Sequence, residues 1–290
     1  MTSKETTTVA VRELSKGYPV VSVIIPYFKA EAYIEETVRS VEEQNYPAIE
    51  IIVVDDGSPV PARAVLGERE NLLILRTKNQ ERSAARNFGF ERSSGEYIIF
   101  LDADDKLVPG AIEAQLKTLT AQPDAALVFG AARLIDKNSG ELKPAHICRP
   151  RRDYFLMLLE GNPIASPGAA MIRRDALNET RLWNLSFRQA EDYLLYLQLA
   201  RRHKLVQHSE CVLEYRIHGN NTSQDKEGML TATLAVLDLF EKETSLSGSE
   251  RRRLRHGRRR WVHVFRPEDS LRYRLHEMYY RFHAMFGVKW

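Results

Sequence analysis

Apolar and polar positions follow two rhythms through the first 130 residues. Val20-Val21-Ser22-Val23-Ile24-Ile25 is a mostly β-branched run that stops at Pro26, the pattern of a buried strand. Residues 31–44 then place Ile34, Thr37, Val38 and Val41 on one face of a helix, with Glu and Arg elsewhere. The alternation repeats. Ile49–Val54 reads as a strand ending in the turn sequence Asp55-Asp56-Gly57-Ser58, and Leu72–Leu75 as a third strand. Ser83–Glu91 reads as helix, Tyr97–Leu101 as strand, Pro109–Leu119 as a helix opened by proline, and Ala126–Phe129 as strand. Beyond residue 130 the pattern loosens. Asn162–Gly168 is rich in turn residues, Ala169–Ile172 reads as a strand, and 191–202 and 229–243 read as helices. A Ser/Gly break at 245–249 precedes a basic tail.

Strands alternating with helices predict an α/β fold of Rossmann-like type. Its central sheet is mostly parallel and covered on both faces, with a C-terminal helical appendage. The expected organisation is a flexible polar lead-in over 1–17, a main domain over 18–228 and a basic helical region over 229–290. In such sheets ligands bind beyond the carboxyl ends of the strands. Asp55-Asp56 and Asp102-Ala103-Asp104-Asp105 fall at two of those ends.

Composition narrows the classes. With 43% hydrophobic and 28% charged residues the chain is an ordinary globular protein. It has no run near the ~20 apolar residues a bilayer span needs, and no apolar core of a secretory signal at its start. Cys148 and Cys211 match no metal or disulfide spacing and read as free thiols of a reducing, cytoplasmic compartment. The overall charge of +3 is uneven: residues 251–290 carry a net +9, leaving the rest at −6. A basic tail on an acidic body predicts an anionic partner.

The acidic clusters are the candidate chemistry. Carboxylates two apart at a strand end repel one another unless a cation joins them, and oxygen ligands suit Mg²⁺ or Mn²⁺. Asp102-Ala103-Asp104 reads equally as an acidic helix-capping turn. Asp56 can accept from a base N–H or a ribose hydroxyl, or close an Asx turn. Arg82 and Arg86, four apart, share a helix face and suit a nucleotide, these aspartates or a surface salt bridge.

Taken together, VSVIIPY (21–27), IIVVDDGS (51–58), RSAARNFG (82–89) and GEYIIFLDADD (95–105) resemble the family 2 glycosyltransferases of the GT-A fold. Ala190-Glu191-Asp192 resembles the family's Glu-Asp motif, and YRIHGNNTS (215–223) its closing His-containing loop. The likeness spans about residues 20–225 and implies transfer of a sugar, with inversion, from a nucleotide-diphosphate donor to an acceptor hydroxyl. By that resemblance Pro26, Tyr27 and Phe28 line the nucleotide, with Phe28 packed on the base. Asp56 reads the base N–H with Arg82 beside it, which favours UDP. Asp102-Ala103 lies by the ribose, Asp104 and His218 hold the metal, and Asp192 is the catalytic base. Two departures bear on the donor: Asn79-Gln80-Glu81 has no glycine where the family has Asn-x-Gly, and Tyr27-Phe28-Lys29 replaces a smaller pattern.

On the acceptor side Glu191 flanks the base, and Trp183, Phe187 and Tyr193 are candidate sugar-stacking aromatics, with core packing the commoner use. The tail's arginines beside aromatics suit an anionic membrane surface, and hence a peripheral position on the inner face of the cell membrane. A solvated helical cap and a homo-oligomer contact suit them too, and no nucleic-acid motif is present. The acceptor is expected to be a glycan or lipid-linked glycan of cell-surface polysaccharide or glycoconjugate synthesis. The alternative is a non-catalytic sugar-nucleotide-binding or scaffold subunit. A Gly-x-Gly-x-x-Gly dinucleotide motif is absent, which sets dehydrogenases aside.

Overall fold

The apolar run that opens the chain becomes the centre of a sheet. The computed structural model describes residues 17–69, 71–146, 153–219 and 221–266. In chain order the elements are β1 (Val21–Tyr27), α1 (Ile34–Glu42), β2 (Ile49–Asp55), α2 (Ala62–Leu66), β3 (Leu72–Arg76) and α3 (Glu81–Arg92). Next come β4 (Tyr97–Phe100), β5 (Lys106–Leu107), α4 (Ala111–Ala121), β6 (Ala125–Ile135), β7 (Glu141–His146) and α5 (Tyr154–Leu158). The chain continues through β8 (Ala170–Arg173), α6 (Arg174–Asn178), α7 (Glu191–Arg202), β9 (Lys204–Arg216), α8 (Lys226–Glu243) and α9 (Gly248–Phe265).

The nine strands form one sheet in the order β3-β2-β1-β4-β8-β6-β9-β5, with β7 paired to β6. The first four are mutually parallel, as are β6 and β9, whereas β8 runs antiparallel between β4 and β6. Val21, Val23, Ile24 and Ile25 are fully buried, as are Ile52, Val53 and Val54 of β2, because helices cover both faces. Helix α3 lies so close to β1 and β2 that a Cβ on Gly89 would stand 2.5 Å from Ile24 and 3.1 Å from Val54. Glycine is therefore what lets that helix seat.

Several boundaries differ from the sequence expectation. β1 does not stop at Pro26 but runs to Tyr27. Proline is accommodated because the pairing with β4 ends at Ile24, so the missing N–H falls where β1 keeps only β2 as neighbour. The helix expected over 31–44 occupies 34–42. α8 begins at Lys226 because the Asp225 side chain accepts the Gly228 N–H at 3.0 Å, so the expected boundary at 228 falls in its first turn. β5, β7, the 13-residue β9 and the short helices α2, α5 and α6 were not anticipated. Of the expected lead-in and tail, residues 1–16 and 267–290 lie outside the described residues, as does Cys148.

The C-terminal helices cover the outer side of α7. Ser247 and Glu250 form a reciprocal capping box that starts α9. Leu254 and Gly257 are its buried seam, and Gly257 brings the helix backbone against the Leu159 carbonyl at the end of α5. Among the described residues no helix is long and apolar enough to cross a membrane.

Candidate active site

The carboxyl ends of β1, β2 and β4 open into one cleft of about 700 Å³, walled on the far side by the start of α7 and the loop after β9. That volume suits a small-molecule ligand of nucleotide size. Pro26, Tyr27, Phe28, Asp56, Arg82, Asp102, Ala103, Asp104, Glu191, Asp192 and His218 all line it. Those expected site residues are thereby gathered in one place; Trp183 is not among them.

On the donor wall the two aspartates after β2 divide their work. Asp55 faces inward, accepting the Ser58 and Ala62 N–H groups at 2.9 Å each and pairing with Arg76 at 2.6 Å. It closes the turn. Asp56 faces the cleft, where its Oδ1 accepts from Thr77 Oγ1 and the Gln80 N–H, each at 2.9 Å. Those bonds fix the carboxylate in orientation at the cleft wall. Tyr27 is fully buried and donates its hydroxyl to the Val60 carbonyl at 2.9 Å, so it builds the wall. Phe28, 41% exposed, is the ring presented to the opening.

Glu81 opens α3 at φ 76, a left-handed conformation that side chains with a Cβ rarely adopt. Its carboxylate pairs with Arg188 of the opposite rim at 3.0 Å. Thus the position where the resemblance predicted glycine keeps the glycine conformation while carrying a charged side chain. Arg82 was expected beside Asp56. It instead reaches across the cleft and donates to Thr222 Oγ1 at 2.6 Å.

At the end of β4 the Asp102–Asp105 turn is fixed from two sides. The Thr37 hydroxyl of α1 lies 2.9 Å from the Ala103 carbonyl and 2.8 Å from that of Asp105. The Asp105 carboxylate accepts the Arg216 N–H at 2.9 Å and the Ser166 hydroxyl at 3.1 Å, while Arg216 Nε donates to the Asp104 carbonyl at 2.8 Å. So held, Asp104 points its carboxylate at His218, with Oδ2 to Nε2 at 2.7 Å, and the His218 ring stacks on Tyr33 at 5.0 Å. Burial and then the neighbouring Asp102 charge push the Asp104 carboxyl above its ordinary range, against the opposing pull of His218.

Among the described residues no group of three or more His, Cys, Asp or Glu could hold a metal alone. Asp104 and His218 supply one oxygen and one nitrogen donor beside Asp102, a partial set that ligand oxygens would complete.

The remaining acids sit at the first turn of α7. Ala190, at φ 56, turns the chain so that Glu191 and Asp192 open the helix, where the dipole favours negative charge. Glu191 is buried against Arg86 at 2.8 Å, and the same fully buried guanidinium reaches Asp102 at 2.6 Å. The Trp183 ring lies 4.2 Å from that guanidinium. Burial alone would lower the Arg86 pKa, yet the two carboxylates more than offset it and raise it.

Asp192 is half-buried, and its Oδ2 accepts from Asn162 Nδ2 at 3.3 Å. Burial, then the Glu191 charge, push its carboxyl up to about 7, with Arg86 opposing. Of these two adjacent acids, one is locked to an arginine and the other is tuned to take a proton near neutrality.

The aromatic assignments need correction. Trp183 is 1% exposed, with its edge-on partner Phe100 at 5.0 Å and Arg86 on its face, so it cannot stack on a sugar. Tyr193 is buried too, its hydroxyl donating to the Leu158 carbonyl, and Phe187 packs on the core. The aromatic rings that line the cleft besides Tyr27 and Phe28 are Tyr33 and Tyr215, which sequence reasoning missed. Arg86 had been left between roles, and its signal was position: an arginine on the same α3 face as the buried Ala85, Gly89 and Phe90.

Comparisons with known proteins give the family and the fold. Residues 22–181 match the sequence profile of Glycosyl transferase family 2. Over 214 residues the chain is 31% identical to TuaG of Bacillus subtilis (strain 168), a glycosyltransferase assigned to teichuronic acid biosynthesis, covering 72% of this chain and 83% of TuaG. EpsH of the same organism, also a glycosyltransferase, is 28% identical over 171 residues, covering 57% of this chain and 50% of EpsH. In fold, S. aureus TarS 1–349 in complex with UDP-GlcNAc superposes at TM-score 0.67 and 16% identity, over 84% of this chain and 72% of that one. The mannosyltransferase PcManGT of Pyrobaculum calidifontis, solved with GDP-Man and Mn²⁺, gives TM-score 0.63 at 16% identity, over 90% of this chain and 78% of its own. With the GT-A architecture, the acid-lined cleft and the profile match together, the chain belongs to Glycosyl transferase family 2 and is a glycosyltransferase.

Proposed function

We propose that this glycosyltransferase transfers a hexosyl group, with inversion, from a UDP-sugar to an acceptor hydroxyl, with Asp192 as the base. The observation that carries the reading is the position of the Asp192 carboxyl, at the first turn of α7 in the cleft that Asp102 and Asp104 also line, where burial pushes it up to about 7. A base of that pKa accepts a proton efficiently near neutral pH. In the step, the acceptor O–H gives its proton to Asp192 while its oxygen forms a bond to the anomeric carbon. The bond from that carbon to the donor phosphate breaks, and the nucleotide diphosphate leaves with the electron pair.

Asp104 and His218, with donor oxygens, would hold Mn²⁺ or Mg²⁺, which when bound neutralises charge growing on the leaving diphosphate. Asp56 orients the base through a carboxylate already fixed by Thr77 and Gln80, and Phe28 offers the ring that covers it. Glu191 does not share the base's role, since its carboxylate is taken up by the buried Arg86 guanidinium at 2.8 Å. Use of a nucleotide-sugar donor is consistent with a cytoplasmic reaction, and the relation to TuaG supports a cell-surface glycan or glycoconjugate as acceptor.

The test is release of free nucleotide diphosphate from a panel of UDP- and GDP-sugars, with Mn²⁺, with Mg²⁺ and with chelator, for wild type and Asp192→Asn. The reading expects metal-dependent release from a UDP-sugar that Asp192→Asn abolishes. Nucleotide binding without turnover of any donor would replace it with the non-catalytic subunit, and turnover of GDP-sugars alone would overturn the UDP assignment.

A further inference from the structure

Seven of the eight arginines over residues 251–266, all but Arg260, fall into two sets. Arg253, Arg258 and Arg266 are tied to the body by Glu160 at 2.7 Å, by Asp238 and Glu241 at 2.7 and 2.8 Å, and by Glu227. Arg251, Arg252, Arg255 and Arg259 are exposed and have no acidic partner among the described residues. At 3.6 residues per turn these four fall within a sector of about 100°, roughly opposite the buried seam of Leu254 and Gly257. They form a row about 12 Å long at 1.5 Å per residue.

Like charges three and four apart destabilise a helix by a few tenths of a kcal/mol per pair. Here Arg251–Arg255, Arg252–Arg255 and Arg255–Arg259 repel; Arg251 Nε donates to the Leu246 carbonyl at 3.1 Å, a neutral partner that leaves its charge uncompensated. A row of that kind is stable when anions lie against it. We infer that this face of α9 docks the protein on an anionic lipid bilayer. The row runs along the exposed face of the helix, and its long arginine stems can lie along a headgroup layer while the guanidinium groups reach the phosphates. Single-stranded nucleic acid binds instead in a groove with aromatic platforms, and no aromatic residue shares this sector of the helix. The surface is separate from the catalytic cleft and does not depend on the transfer chemistry.

The experiment is flotation of the full chain with vesicles of phosphatidylcholine alone or with phosphatidylglycerol added, alongside heparin and single-stranded DNA binding. Wild type is expected to float with the anionic vesicles only, and to be released by about 0.5 M NaCl as screening shortens the reach of the charges. Each arginine near the surface contributes about fivefold in partition, the equivalent of about 1 kcal/mol. The quadruple variant R251Q/R252Q/R255Q/R259Q should therefore lose several hundredfold in affinity with its circular dichroism and donor turnover unchanged. The double variant R253Q/R258Q, which removes body-paired charges, should retain binding within about tenfold. Equal loss per charge in both variants, undiminished binding by the quadruple variant, or binding of polymer polyanions without vesicles would each overturn the proposal.

Discussion

The two walls of the cleft are held by different means. On the donor wall, Asp55 and Asp56 are fixed by backbone N–H groups and side chains within about one βαβ unit: Ser58, Ala62, Arg76, Thr77 and Gln80. On the opposite wall, Glu191 is fixed by Arg86, 105 residues earlier, and the loop carrying His218 by Arg216, whose guanidinium reaches Glu36 from 180 residues away. Local bonds form wherever the strand ends; distant ones exist only once the sheet is complete. The bonds that fix the first wall can therefore be read locally, whereas those that fix the opposite wall are a property of the assembled fold.

The comparison breaks most sharply at Asp192. Asp192→Asn removes the base and should lower turnover by roughly 10²–10⁴-fold, with nucleotide affinity at the donor wall unchanged. The same substitution should stabilise the protein at high pH. Folded Asp192 keeps its proton to about 7 against an ordinary value of 3.8, so between those values the folded state binds more protons than the unfolded one. Stability consequently falls as pH rises through that window. Thermal melts should show Asp192→Asn above wild type at pH 8, with the gap closing below pH 4.

Arg86→Met comes next, because it strands the buried Glu191 charge and frees Asp102. Losing one partner of a buried pair costs about 3–5 kcal/mol, readable by denaturant unfolding. Both walls should suffer, since this one residue joins them. Asp56→Ala should be confined to the donor wall. It removes charge-assisted bonds worth about 1.5–3 kcal/mol, expected as a ~10–100-fold weaker nucleotide Kd by calorimetry with turnover at saturating donor little altered. The smallest effect belongs to Glu81→Gly. Removing an exposed ion pair worth about 0–1 kcal/mol while relieving a left-handed residue costing about 1–2 kcal/mol should leave stability equal or slightly higher.

The sequence was informative wherever periodicity and turn chemistry act locally. The strands β1 to β4, the start of β6, the Asp turns after β2 and β4 and the α7 start at Glu191 were visible as pattern. β9 was missed because Lys204–Arg216 mixes charged, exposed and buried positions and gains its order from β6 alongside it. Trp183 was misassigned for a related reason. An aromatic residue amid turn residues gives no sign of which way it faces, and its partners Arg86 and Phe100 are brought by other elements. Arg86 carried two meanings until Glu191 and Asp102 converged on it.

The most direct test is the pH dependence of nucleotide diphosphate release from the active donor, measured from pH 5 to 9 with wild type and Asp192→Asn. A group that must give up its proton to act produces a rate rising with pH through its pKa. The account predicts a wild-type limb centred near 7, falling about tenfold per pH unit below it, and no such limb in Asp192→Asn. A wild-type rate flat from pH 5 to 8, or a limb unchanged in the variant, would contradict Asp192 as the base.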